Sequence, residues 1–329
     1  MRLLVTGGAG YIGSVVVHQL LDAGHTVEVI DDLSTGHVGS LPGEVMLHKR
    51  DLHQVGEVLT ADAGFDGVLH FAAKIAAGES VDRPEIYWHT NVSGSLALLD
   101  AMRLAGVQRL VFSSTAAVYG NPSTLPITEQ APVAPTNPYG WTKLAVDMAI
   151  AHAVKAHQLG ATSLRYFNVA GAALDGPIPL GECHEPETHL IPAALEVAAG
   201  QRPSLRIFGG DYPTRDGTCV RDYIHIEDLA AAHLLALEAI DPGRHKIYNL
   251  GNGKGFSNLQ IVDVVRTVTG EEVKVSPAPR RAGDPATLIA SSVRARAELG
   301  WVAAKPDLAS IVEDAWTFFQ TRRIAGSTG

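Results

Sequence analysis

Tyr139 and Lys143, in Asn137-Pro138-Tyr139-Gly140-Trp141-Thr142-Lys143, stand four residues apart. On a helix that spacing turns both side chains the same way. A phenol beside an ammonium ionises more easily. Free tyrosine titrates near pH ~10 and a useful general base near ~7, so the gap of ~3 units asks for about 4 kcal/mol of phenolate stabilisation. A lysine together with a positively charged ring close by would supply it. A second segment offers such a ring. Thr6-Gly7-Gly8-Ala9-Gly10-Tyr11-Ile12-Gly13 follows an apolar run and opens a helical pattern. Gly7 permits the sharp turn, Gly10 admits a pyrophosphate to the backbone, and Gly13 lets the helix pack on the sheet. The free amides at the helix start then face the diphosphate of a dinucleotide.

Asp31 lies eighteen residues past Gly13, at the end of the second apolar run, where a carboxylate accepts from the adenosine ribose. A phosphate on that ribose would meet both Asp31 and Asp32, and no Lys or Arg lies between Asp31 and Gly36. The reading is therefore NAD and not NADP. Asp51-Leu52, after the third run, is placed against the adenine edge. Phe112-Ser113-Ser114-Thr115 ends another run, and hydroxyls at a strand's C-terminal end face the cofactor crevice. Thr115 is placed to donate to a substrate oxygen beside Tyr139.

The elements that position these residues alternate. Expected strands are 3–6, 27–30, 45–47, 67–71, 109–112 and 162–166. Expected helices are 11–23, 87–105 and 139–159. This pattern gives an α/β fold, a doubly wound parallel Rossmann sheet. The second half is more broken by Gly and Pro, with helices near 190–199, 227–239, 258–269 and 307–320. It reads as a smaller α/β lobe for the substrate. The division is a cofactor domain over 1–169, a lobe over 170–322 and a flexible tail over 323–329. Elements within about 221–250 are candidates to return to the main sheet, Ile247 to Leu250 first among them.

Bulk properties narrow the class. The chain has 329 residues, 46% of them hydrophobic, which supports a folded core. A formal charge of −9 disfavours nucleic acid as a partner. Two cysteines, Cys183 and Cys219, provide no disulfide framework, and with no secretion signal the expectation is a cytoplasmic protein. No apolar run reaches the ~20 residues that cross a bilayer. For His184 and His189, with Cys183 nearby, the spacing offers no fourth ligand, so no metal is expected.

These motifs resemble the extended short-chain dehydrogenase/reductase family, and within it the UDP-hexose 4-epimerases, over nearly the whole chain. Besides the glycine loop and Asn137-Pro138-Tyr139-Gly140, the resemblance rests on Leu164-Arg165-Tyr166-Phe167-Asn168 and His189-Leu190-Ile191-Pro192. Its longest run is Ile207-Phe208-Gly209-Gly210-Asp211-Tyr212-Pro213-Thr214-Arg215-Asp216-Gly217-Thr218-Cys219-Val220-Arg221-Asp222-Tyr223-Ile224-His225. The resemblance implies tightly held NAD, contacted by Tyr11, Ile12, Phe71, Asn91 and Tyr166 besides the residues above. It implies that Tyr139 takes the proton of the sugar 4-hydroxyl while hydride leaves C4, and that the keto sugar turns over and takes the hydride back on its other face. It puts Lys143 at the nicotinamide ribose. Asn168, His189 and Leu190 would meet the sugar diphosphate, Phe208 the uracil, Arg221 and Arg281 the diphosphate, Asp284 a ribose and Leu288 the sugar pocket. It also implies a homodimer through helices 91–105 and 139–159.

The sequence departs from the family near Phe71-Ala72-Ala73-Lys74-Ile75, where Ile75 takes the place often held by lysine and Lys74 stands one residue early. Related dehydratases and decarboxylases need a carboxylate just before Val118-Tyr119-Gly120, and here that place holds Ala116-Ala117. Other readings are 4-epimerisation of UDP-N-acetylglucosamine, UDP-glucuronate or a UDP-pentose, and a non-catalytic NAD-binding regulator.

Overall fold

A computed structural model describes residues 1–281 and 283–326, and the side chains of all but the last four of these. Seven strands form one parallel sheet. They are β1 (Arg2–Thr6), β2 (Thr26–Asp31), β3 (Met46–Lys49), β4 (Gly67–His70), β5 (Arg109–Thr115), β6 (Gly160–Tyr166) and an edge strand, His245–Leu250. Their order is edge strand, β6, β5, β4, β1, β2, β3. The edge strand comes from the chain's second half and pairs in register with β6, Leu250 against Tyr166.

Alternation within β1 assigns the two layers. Leu3 and Val5 point to one face, where they join Val16 and Leu20 of the helix Tyr11–Asp22 and Leu229 and Leu237 of the helix Ile226–Glu238. Leu4 points to the other, with Leu98 and Met102 of Gly94–Ala105 and Val146 and Ile150 of Pro138–His157. Every one of these side chains is fully or almost fully buried. A separate apolar cluster unites Ala194, Ile261 and Ile311, from the helices Leu190–Ala198, Asn258–Thr269 and Leu308–Gly326, into the smaller lobe. Ser257 starts the second of these helices with a reciprocal capping box to Gln260.

Two expectations change. The helix expected over 87–105 is in three parts: Pro84–Tyr87, a π-helical stretch Trp88–Ser93, and Gly94–Ala105. The wide turn contains Asn91, whose buried amide bonds the backbone of Lys74 and the Thr142 hydroxyl. The tail expected from Arg323 begins inside the last helix, whose backbone runs to Gly326; residues 327–329 lie outside the described structure.

Candidate active site

Because the strands are parallel, their C-terminal ends gather at one edge of the sheet. Between β1 and β4 the chain's direction of winding reverses, and a crevice opens there. The turn after β1 is packed tightly across it. Gly7 has φ of +70°, and a Cβ on it would sit 2.5 Å from the Ala72 amide nitrogen. A Cβ on Gly13 would come within 2.2 Å of the Gly7 carbonyl oxygen, while Gly10 has its nearest neighbour at 3.4 Å. The loop is thus a backbone cradle with its open side at Gly10, a shape that suits a diphosphate.

The crevice deepens into a cavity of about 390 Å³, within the roughly 300–1,000 Å³ usual for ligand sites. Its walls carry Gly7, Gly10, Tyr11, Ile12 and Gly13 from the first loop, and Asp31, Asp32, Leu52 and Phe71 from the strand ends that follow. Asp31 is buried and accepts from the amides of Ala9 (3.0 Å) and Leu33 (2.8 Å). Burial raises its pKa, against the pull of those two amides. Farther along are Thr115, Tyr139, Lys143, Tyr166 and Asn168, then His189, Leu190, Arg221, Asp284 and Leu288 from the smaller lobe. Arg221 and Leu288 are paired residues of neighbouring strands, and Arg221 Nη2 lies 3.8 Å from Asp284 Oδ1.

Tyr139 enters at the start of the helix Pro138–His157. Asn137 caps that helix by accepting from the Gly140 amide at 2.9 Å, and Pro138 takes the first turn. Thr115 shares the cavity with Tyr139, and its hydroxyl eases ionisation of the phenol. One turn on, Lys143 is buried, and its Nζ donates to the Ser113 carbonyl at 3.0 Å. Here the electrostatics differ from the sequence reading. Burial raises the Tyr139 pKa, and only the Thr115 hydroxyl opposes it. Burial also pushes Lys143 down to about 8, with Asp147 pulling the other way. Desolvation sets the sign of both shifts. Tyr166 is bonded through its hydroxyl to Ser113 Oγ, and burial raises its pKa as well.

Four expected residues are not brought to the wall. Asp51 instead caps the turn Leu52–Glu57, accepting from the His53 amide at 2.8 Å, and only its neighbour Leu52 lines the cavity. Asn91 lies behind the wall, holding the Lys74 backbone. Phe208 and Arg281 face each other, the guanidinium 4.0 Å above the ring. Lys74 and Ile75 both line the cavity, so the one-residue shift does not turn either away. Ala116 and Ala117 also line it, at the place where an eliminating enzyme would need a carboxylate.

Glu182, His184, Thr136, Asn137 and Tyr223 belong to the wall and were not anticipated. Asn137 was legible as the capping residue before Pro138. The sequence reading found no fourth ligand for His184 and His189; in the fold the carboxylates of Glu182 and Glu187 converge on them, and Cys183 does not. Burial alone would lower His189, but Glu182 and Glu187 outweigh it and bring its pKa to about 10.

The fold and the cavity define a dinucleotide-dependent protein of the doubly wound class with a second ligand lobe. Residues 3–251 match the NAD dependent epimerase/dehydratase family, and the chain belongs to that family. It is 56% identical to a UDP-glucose 4-epimerase of Corynebacterium glutamicum over 97% of this chain and 95% of that one. To a UDP-glucose 4-epimerase of Streptomyces lividans it is 53% identical, over 96% and 95%. Its structure superposes with a TM-score of 0.93 on a UDP-glucose 4-epimerase of Stenotrophomonas maltophila solved with bound NAD and formylated UDP-arabinopyranose, at 40% identity and 99% coverage of both chains. Among the described residues no helix is long and apolar enough to cross a membrane.

Proposed function

We propose that this protein interconverts UDP-glucose and UDP-galactose by inverting the sugar at C4, with NAD held throughout the cycle. One observation carries the reading. A single cavity is lined by the glycine cradle, by Tyr139 with its Thr115 partner, and by Arg221 and Asp284 of the smaller lobe. Bound NAD supplies the acceptor and donor of the C4 hydride. Tyr139 takes the 4-hydroxyl proton and later returns it, and Thr115 hydrogen-bonds the same oxygen. Lys143 holds the nicotinamide ribose and biases the phenol; because burial raises Tyr139 in the open cavity, the cofactor's positive ring must contribute the rest of the bias.

In this reading Gly7, Gly10 and Gly13 cradle the cofactor diphosphate, and Asp31 and Asp32 take the adenosine ribose. Arg221 matches the substrate diphosphate, since a guanidinium fork fits phosphate oxygens. Asn168, His189 and Leu190 flank that diphosphate, Asp284 takes a ribose, and Leu288 shapes the sugar pocket. Phe208 and Arg281 serve the uridine end from the rim. Ala116 and Ala117 favour epimerisation over elimination. We assign the cofactor lobe to 1–169 with the edge strand His245–Leu250, and the substrate lobe to most of the remainder.

We place the enzyme in the cytoplasm as a homodimer. Support for the dimer comes from Leu96 and Leu104 on one helix and Trp141 and Met148 on the helix packed beside it, all of them exposed. The deciding assay incubates purified protein with UDP-galactose and no added cofactor, and follows the C4 stereochemistry by NMR. UDP-glucose should appear. A protein that carries NAD and gives no conversion of any UDP-sugar in a panel would be a regulator instead.

A further inference from the structure

Between the strand ending at Gly181 and the helix beginning at Leu190, the chain runs Glu182-Cys183-His184-Glu185-Pro186-Glu187-Thr188-His189. Four of these side chains converge. One ligand-type atom from each of Glu182, His184, Glu187 and His189 lies within 4.8 Å of all the others. Glu182 Oε1 is 2.6 Å from His189 Nδ1 and 3.0 Å from His184 Nδ1. Glu187 Oε1 is 3.1 Å from His189 Nδ1. Both imidazoles therefore aim the same nitrogen at one carboxylate oxygen.

The charge balance is unusual. The Glu182 and Glu187 side chains are 7% and 4% exposed. Two carboxylates so buried need compensating positive charge. Among the described residues neither forms an ion pair with a lysine or arginine: Glu182 contacts both histidines, and Glu187 contacts His189 and accepts from the amides of Thr188 and His189 at 2.7 Å each. A second cluster in the molecule shows the contrast. His225, Glu227 and Asp314 also converge, but Lys305 Nζ occupies that cluster, 2.5 Å from Glu227 and 2.9 Å from Asp314. There an ammonium does the neutralising, and no ion is called for.

We propose that Glu182, His184, Glu187 and His189 form a structural zinc site. Two imidazole nitrogens and two carboxylate oxygens suit this borderline cation. A divalent ion would cancel the two buried charges and displace any imidazole proton, since a histidine must be neutral to ligate. Zinc bound at about 2.0–2.1 Å sets tetrahedral ligand atoms roughly 3.4 Å apart. The present 2.6–3.1 Å separations reach that by opening about 0.3–0.8 Å each. All four positions are filled by protein, so the ion takes no part in the reaction. Its effect is to fix the loop. Glu182, His184 and His189 line the large cavity, and the Cys183 carbonyl accepts from the His37 ring at 3.2 Å, from the loop after β2. Zinc would hold this loop across the cavity between the first-lobe loops and the helix Leu190–Ala198.

The test reads metal and not turnover. Full-length protein purified in chelator-free buffer is analysed by plasma mass spectrometry. Chelator-stripped protein is then titrated with zinc by calorimetry and with cobalt by visible absorption. One zinc per chain and tetrahedral cobalt bands are expected. His184→Ala and His189→Ala should each weaken binding at least about 100-fold, and Cys183→Ser should leave it unchanged. Circular dichroism checks each variant's fold; if a histidine variant fails it, the wild-type titrations decide. Substoichiometric native zinc together with no saturable zinc or cobalt binding would overturn the site. So would a thiolate-to-cobalt band, which would put Cys183 among the ligands. Because no arm uses a UDP-sugar, failure here leaves the proposed epimerase activity standing, and the reverse also holds.

Discussion

Lys143 Nζ donates to the backbone carbonyl of Ser113 at 3.0 Å. That bond fixes the ammonium at the end of β5, one helical turn from Tyr139, in a pocket it shares with the Phe112 ring 5.0 Å away. It costs the lysine much of its hydration, and the pKa falls to about 8 from the usual 10.5. Between those values the unfolded chain keeps a proton that the folded chain has released. The cofactor-free protein should therefore gain stability as pH rises from 8 to 10.5, by about 3 kcal/mol in all, and gain nothing from this group below 8. Urea titrations at stepped pH measure the slope. Lys143→Met should abolish it, and an unchanged slope in that variant would assign the effect elsewhere.

Tyr139→Phe removes one oxygen beside Thr115 and leaves the ring. Turnover should drop by about 10²–10⁴-fold, the usual contribution of a positioned acid–base group. Affinity for UDP-sugar, read by calorimetry, should stay within a factor of about three, well under 1 kcal/mol. A variant with near-normal turnover would remove Tyr139 from the chemistry.

Gly10 and Gly13 should fail differently. Alanine at 13 would press its methyl to 2.2 Å from the Gly7 carbonyl oxygen, so Gly13→Ala should lower the melting temperature as well as cofactor content. Alanine at 10 finds its nearest neighbour at 3.4 Å. Gly10→Ala should fold normally and lose NAD, because the methyl occupies the place of the diphosphate. Equal NAD content in Gly10→Ala and wild type would move the diphosphate elsewhere.

Behind the active-site wall Arg165 and Asp147 form an ion pair at 2.9 Å, with both side chains almost fully buried. Ser114 and Tyr119 complete it, yet Asp147 Oδ1 has no hydrogen-bond partner. Arg165→Leu should cost about 3–5 kcal/mol by stranding the carboxylate, and adding Asp147→Leu should restore part of the loss. Denaturant midpoints of the two variants test this; equal midpoints would mean that the stranded charge is not the cause.

Trp141 and Met148 stand two turns apart on the same exposed helix face. By light scattering the unaltered protein should be a dimer, and the double substitution Trp141→Glu, Met148→Glu should yield monomers. Dimers persisting in the variant would place the subunit contact on another face.

Local sequence settled whatever local geometry settles. The spacing of Tyr139 and Lys143 fixed their shared helix face, the Asn-Pro before them fixed the helix start, and the three glycines fixed the cradle. The unbroken apolar run Leu3-Leu4-Val5 announced a strand buried on both faces. Tertiary structure decided what depends on distant partners. It turned Asn91 inward through a π-helical turn toward Lys74 and Thr142, and it stacked Arg281 on Phe208 outside the set of residues that line the cavity. Ile247 to Leu250 was a candidate to return to the sheet, but the fold chose its partner, a strand 84 residues earlier. It also reversed the sign of the Tyr139 shift, because burial is a property of the whole packed molecule. Glu182, His184, Glu187 and His189 belong to both cases. Their order in the chain was visible, but only the fold bent the loop until four side chains met, since a pattern of residues carries no convergence until the backbone between them has a shape.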